Sequence, residues 1–167
     1  MITVRRAVAE DAVVLGGIDL QTWSSRTSPV APPLRYSHYR FFGERTRPRD
    51  VLVAESGRAQ CGYVKFLGLA HFPPTRAHVL EITGLAVDPH YQRMGIGRRL
   101  IEAALDEARE RGARKVVLRV LGSNERARRL YDRCGFAIEA FLRDEYLIDG
   151  GYVDDIWMAR HIEAPRY

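Results

Sequence analysis

Apolar residues return at two different spacings along this chain, and the spacing divides it into elements. From Ile96 the apolar positions Leu100, Ile101, Ala104, Leu105 and Ala108 recur every three or four residues, which predicts an amphipathic helix over 95–111 with one solvated side. Gly112 stands where such a helix ends. The runs 79–87 and 115–121 are short, rich in β-branched residues and bounded by turn formers, so they read as strands. Residues 2–7, 51–55 and 60–72 read as further strands, the last two joined by the turn Ser56-Gly57-Arg58. Residues 136–148 and 152–160 form a final hairpin around Asp149-Gly150-Gly151. Three more helices are predicted: 12–23 with Asp11 as its N-cap, an aromatic-rich helix over 36–43, and one capped by Ser123 or Asn124 that ends near Cys134.

The order is β-α-α-β-β-β-α-β-α-β-β, which predicts an α/β (α+β) fold with a mixed central sheet of about seven strands and about four flanking helices. The strand 115–121 follows a strand and a helix, so it should lie parallel to 79–87 through a right-handed crossover. No internal repeat or linker divides the chain, and 1–167 reads as a single domain. Apolar runs are too short for a membrane helix, and the N-terminus reaches Glu10-Asp11 without a signal core; a cytoplasmic protein is expected. Cys61 and Cys134 sit inside apolar patterns and read as buried free thiols. No Cys/His cluster has zinc-ligand spacing, so no metal is expected. The formal net charge is +5, with the arginines widely spread. Such a surface can attract a polyanionic ligand, but without a lysine-rich tail or recognition motif it is a weak argument for nucleic acid.

The chemistry concentrates in Gln92-Arg93-Met94-Gly95-Ile96-Gly97, between the strand 79–87 and the helix 95–111. Glycines there remove side chains where an anion must approach main-chain N–H groups, and the helix start supplies unpaired amides and partial positive charge. No lysine follows Gly97, which excludes a P-loop, and the third glycine of a dinucleotide fingerprint is missing. Together with Asn124-x-x-Ala127-x-x-Leu130-Tyr131-x-x-x-Gly135-Phe136, this Q-x-x-G-x-G block resembles the GNAT superfamily of acyl-CoA-dependent N-acyltransferases, and the resemblance runs from end to end.

The resemblance implies a sheet splayed between 79–87 and 115–121, with acetyl-CoA as cosubstrate and a primary amine as acceptor. It implies that Gln92, Arg93, Met94, Gly95, Ile96, Gly97 and Arg98 hold the pyrophosphate, and that the backbones of Leu85, Ala86 and Val87 pair with the pantetheine arm. Asn124 suits an amide-bearing ligand because its carboxamide both donates and accepts. Tyr131 is the candidate general acid for the leaving thiolate. An alkyl amine has a pKa of about 10, so holding it neutral at pH 7 costs about 4 kcal/mol and calls for a base. Glu81 is the candidate base, with Glu139, Glu145 and Asp154 as competitors. Strand alternation places Glu81 with Thr83, Leu85 and Val87 unless a bulge, for which Gly84 is suited, intervenes. His71, His78 and His90 show no pairing pattern and read as loop or surface residues. The aromatic and arginine-bearing segment around Trp23, Arg26, Arg35, Tyr36 and Phe41 is either a pocket for an amine that also carries a carboxylate, or core. A non-catalytic acyl-CoA-binding module is the alternative function. Oligomeric state stays open, exposed edge strands being the feature through which such sheets pair into homodimers.

Overall fold

The computed structural model describes residues 1–31, 39–67 and 73–162. Seven strands form one mixed sheet: β1 (Ile2–Arg6), β2 (Val51–Ser56), β3 (Ala59–Phe66), β4 (Val79–Val87), β5 (Lys115–Leu121), β6 (Ala137–Ile148) and β7 (Gly151–His161). Their spatial order is β1-β2-β3-β4-β5-β7-β6. Among the described residues three α-helices accompany them: α1 (Ala12–Thr22), α2 (Ile96–Glu110) and α3 (Glu125–Arg133). β4 and β5 run parallel, as the intervening α2 requires, and the other neighbours are antiparallel. The helix expected over 36–43 falls partly outside the described residues. Its described part, 39–43, is not helical; Phe41 turns into the core instead, edge-on to Tyr63 with centroids 4.8 Å apart. The strand expected over 60–72 ends at Phe66, and 68–72 lie outside the described residues.

Two apolar cores sandwich the sheet. On one face, Leu52, Val64, Leu80, Ile82, Leu118 and Ile156 pack against Leu100 and Ile101 of α2. All six apolar positions that mark α2 in the sequence are buried. On the other face, Leu15 and Ile18 of α1 cover Val51, Val53, Tyr63, Phe41 and Ala86. Cys61 and Cys134 are buried and free.

β4 changes parity part-way along. Leu80 and Ile82 face the α2 core, yet so do Leu85 and Val87, while Ala86 faces the α1 core. Unbroken alternation forbids this. Lys65 pairs with Gly84 and Phe66 with Ile82, so β4 carries one extra residue, Thr83, as a bulge. Glu81 therefore does not share a face with Leu85 and Val87. The Leu67 N–H donates to the Glu81 carbonyl at 2.9 Å, which sets Glu81 opposite Leu67 and on the face of Tyr63 and Lys65.

Charged pairs close the sheet's β1 margin. Arg5 binds Asp11 at 2.8 Å and Glu55 at 2.6 Å, while Arg6 and Arg111 reach Glu107 at 3.0 and 2.7 Å. Asp11, expected to cap α1, makes no capping bond. Its carboxylate accepts from Arg5 and from the Val8 N–H instead, because a guanidinium fork outcompetes a helix amide. The bond from Arg5 holds the Asp11 carboxyl below its usual range. Burial pushes Glu107 up, but Arg111 and Arg6 outweigh it and the net shift is downward. Depressed carboxyl pKa values contribute stability above the unfolded values of about 4, and that contribution is lost as pH falls through the folded ones. The urea midpoint is accordingly expected to be level from about pH 6 to 5 and to drop below about pH 4. A midpoint unchanged at pH 3 would contradict it.

Candidate functional site

β4 and β5 separate at a definite point. Their parallel ladder runs from Val79 opposite Lys115 to Ile82 opposite Leu118 and goes no further, although β4 continues to Val87 and β5 to Leu121. β5 stays zipped to β7 through Leu121, while the bulge at Thr83 turns β4 away. The free stretch has a defined polarity. The Asp88 N–H donates to the Cys61 carbonyl opposite it at 2.9 Å. In an antiparallel ladder that makes Ala86 and Gly84 the residues bonded to β3, and turns the amides of Leu85 and Val87 toward the gap. Ala86 is thus committed to the sheet, whereas Leu85 and Val87 present an open edge.

Past β4 the chain turns tightly. The Asp88 carboxylate accepts the His90 N–H at 2.8 Å. The Gln92 carboxamide donates through Nε2 to the Val87 carbonyl at 3.1 Å and accepts from Arg126 of α3 through Oε1 at 2.7 Å. It ties the end of β4 to α3. Arg93 (φ 64°) and Gly95 (φ 76°) are left-handed. A Cβ at Gly95 would meet nothing within 4 Å, so glycine serves the backbone there. At Gly97 a Cβ would stand 3.1 Å from Leu130 Cδ2, so this glycine admits α3 against α2. Gly97 thus has a packing role beside the anion-binding role that the resemblance implies for both glycines. No side chain caps α2, and its first-turn amides open beyond Gly95. Met94 is exposed, Ile96 anchors the helix in the core, and Arg98 pairs with Glu102 at 2.8 Å.

α3 supplies the opposite wall. Asn124 caps it, Oδ1 accepting from the Ala127 N–H at 3.2 Å, which leaves the carboxamide NH2 to donate elsewhere. Tyr131 is 8% exposed, with its ring 6.1 Å from that of Phe136. Burial, with a smaller contribution from Cys134, pushes its hydroxyl up to about 12. Among the described residues the hydroxyl has no hydrogen-bond partner, yet no fully buried side-chain polar atom lacks one, so the oxygen retains access to solvent.

The face that carries Glu81 gathers charge. Glu81 lies 3.2 Å from Arg76. On β5, just past the last parallel pair, Arg119 donates through Nε to buried Asp155 at 2.7 Å and through Nη2 to the Tyr146 hydroxyl at 3.0 Å, and lies 4.9 Å over the Trp157 ring. On the α1 side Asp19 accepts from both the Tyr39 and Tyr63 hydroxyls. Lys65 spreads over Gly84 with its ammonium 5.5 Å from the Phe41 ring. Sequence reasoning passed over Arg119, Asp155, Asp19 and Lys65. The available signal was a lone charge inside an apolar run, as in Val117-Leu118-Arg119-Val120. Of the competing acids, Glu139 pairs with Lys115 at 2.7 Å and Asp154 accepts the Asp144 N–H at 3.0 Å; neither joins Glu81. Phe41 is core, which decides that residue against the pocket reading. Among the described residues no cluster of His, Cys, Asp or Glu could hold a metal, and no helix is long and apolar enough to cross a membrane.

Comparison with known proteins points the same way. The model of the acetyltransferase (GNAT) family matches residues 18–136. The ribosomal protein bS18-alanine N-acetyltransferase of Escherichia coli strain K12 is 40% identical over 93 residues, 54% of this chain and 63% of that protein. The chain thus spans somewhat under two thirds of the length of the curated relatives it matches. Among solved structures, smu.2055 from Streptococcus mutans UA159 has a TM-score of 0.81 at 28% identity, over 98% of this chain and 99% of that one. The E. coli ribosomal-protein-S18-alanine N-acetyltransferase has a TM-score of 0.71 at 25% identity, over 100% and 99%.

Proposed function

The chain belongs to the acetyltransferase (GNAT) family, and on that footing we propose that it moves an acetyl group from acetyl-CoA directly to a primary amine in a ternary complex. The acceptor is a small amine, an amino acid or a protein N-terminus. The observation that carries this reading is the open edge of β4: Leu85 and Val87 direct their amides into the gap left by β5, immediately before the uncapped start of α2. A pantetheine arm carries amides of its own and can complete that edge like an added strand, with its pyrophosphate at the helix start.

In the reaction, the amine nitrogen attacks the thioester carbon, the carbonyl oxygen gains negative charge, and the C–S bond then breaks. An edge N–H of β4 stabilises the oxyanion. Glu81, on the opposite face from the α2 core, takes the amine proton directly or through water, and Tyr131 donates toward the departing sulfur. Asn124 and the Gln92–Gly97 turn hold the ligand, and Arg98 reaches the phosphates if it releases Glu102.

Thiol release from acetyl-CoA with a panel of primary amines tests the function. Turnover supports the enzyme. Tight acetyl-CoA binding with no turnover of any amine would instead support a binding module on the same scaffold. Glu81→Gln is expected to lower kcat/KM about 10²–10³-fold near pH 7, with the deficit shrinking toward pH 10 as the free amine becomes abundant. A deficit independent of pH would count against the base role. A homodimer is part of the reading: β6 is a solvent-facing edge strand whose Ile138 and Phe141 are exposed. Sedimentation measures it.

A further inference from the structure

Among the described residues Lys65 lacks the carboxylate partner that several other partly buried cations of this protein hold. Arg5, Arg6, Arg111, Arg119 and Lys115 all have carboxylate partners within 3.4 Å or less. Lys65 is half-buried, and among the described residues it has none. Its stem lies so close over Gly84 that a Cβ there would come within 2.5 Å of Lys65 Cε. Its ammonium rests 5.5 Å from the Phe41 ring centroid and 5.8 Å from that of Tyr63. Those rings are fixed in turn: Phe41 is edge-on to Tyr63, and the Tyr63 hydroxyl is held by Asp19. Aromatic faces attract a cation but leave its hydrogen bonds unmade, and a partly desolvated ammonium favours an anion that can accept them.

Its position says where that anion would be. Lys65 pairs with Gly84, and Glu81 lies opposite Leu67, two residues further along the chain and just past the end of β3. As diagonal neighbours on adjacent strands the two residues lie about 7–8 Å apart on one face. Arg119 is also on this side of the sheet, but both Asp155 and Tyr146 already engage it. The coenzyme phosphates belong at the other end of β4, beyond Val87, and do not compete for Lys65.

We infer that Lys65 is a specificity-determining residue that receives a carboxylate carried by the amine acceptor, within a few bonds of the reacting nitrogen. This rests on the acetyl-transfer reading and narrows its acceptor to amines bearing a nearby carboxylate, such as free amino acids. The nitrogen faces Glu81, and the carboxylate displaces solvent from the ammonium while the aromatic rings keep the lysine extended over Gly84. A neutral acceptor of the same shape leaves the ammonium without an acceptor and binds more weakly.

The test uses matched compounds that differ only in the anion: alanine, phenylalanine and glutamate against their α-amides and the corresponding decarboxylated amines. In the wild type, kcat/KM for the acids is expected to exceed that for the amides by about tenfold or more, the value of one charge-assisted hydrogen bond. Lys65→Met keeps the stem over Gly84 and should bring the acid-to-amide ratio toward one, mainly through KM. Lys65→Arg should retain most of it. Calorimetry of the N-acetylated products, acid against amide, in the presence of CoA gives a second readout that needs no turnover. Acid-selective product binding that depends on Lys65, without acetylation of any amine, would fail the acetyl-transfer reading alone. Turnover with no preference for the acids, or a preference that survives Lys65→Met, would overturn the assignment of Lys65 and leave acetyl transfer standing.

Discussion

Replacing Tyr131 with Phe is expected to lower kcat by about 10²–10³-fold while leaving acetyl-CoA affinity within about twofold. The change removes one oxygen and keeps the ring that packs near Phe136. The hydroxyl makes no hydrogen bond to another described residue, so the fold loses no bond with it. The pKa of about 12 limits how the group can act. It is protonated across the working range, so it is always ready to donate. Full transfer to a free thiolate of pKa about 8.5 would be uphill by about 5 kcal/mol. In the proposed mechanism the hydroxyl would therefore serve the sulfur as a hydrogen-bond donor while charge builds on it, rather than by full proton transfer. A pH–rate profile carries the same signature. Activity should rise with amine deprotonation and show no fall attributable to Tyr131 below about pH 11. A Phe variant within a few-fold of wild type would remove Tyr131 from the chemistry.

The second large effect is structural and reaches the site through β4. Gly62 pairs with Val87. A Cβ at Gly62 would stand 2.8 Å from the Ala86 carbonyl oxygen and 3.3 Å from both Val87 Cα and Leu100 Cδ1. Two of these atoms are backbone, and the strand they belong to supplies the open edge, so nothing there yields cheaply. Gly62→Ala is expected to destabilise the protein by about 1–3 kcal/mol, a fall in Tm of roughly 3–10 °C. Acetyl-CoA affinity should weaken with it, because relieving the clash displaces Val87. Gly17→Ala is the matched control, since a Cβ there meets nothing within 4 Å in α1. It should hold or raise Tm, alanine being the better helix former. Equal behaviour of the two variants would refute the crowding argument.

Elements with a strong period were read closely. The strands 79–87 and 115–121 appear with those bounds, and α2 lies within one residue of its expected ends. Their apolar spacing and bounding turn residues are local properties of the chain. The segment 39–43 misled because aromatic richness does not distinguish a helix from a loop whose Phe41 is recruited by a distant partner, Tyr63. Asp11 misled for a related reason. Its cap position is visible in sequence, but the competing guanidinium comes from β1. Around the gap, the glycine turn before α2 and the Asn124 cap of α3 were legible from spacing. Arg119 with Asp155, and Asp19 with Tyr39 and Tyr63, were not, because each pair joins residues far apart in the chain.

By itself the sequence determined the order of the strands along the chain, the amphipathic α2, the parallel sense of β4 and β5, and the glycine turn between strand and helix. Each follows from neighbouring residues through spacing, backbone freedom and chain direction. Only the tertiary structure decided where β4 leaves β5 and that Thr83 bulges. It alone decided that Glu81 faces away from Leu85 and Val87, that Gly97 admits Leu130, and that Lys65 meets no carboxylate among the described residues. Those outcomes depend on which surfaces meet across the sheet, and a one-residue shift in register reverses a side chain's face while leaving the sequence pattern unchanged.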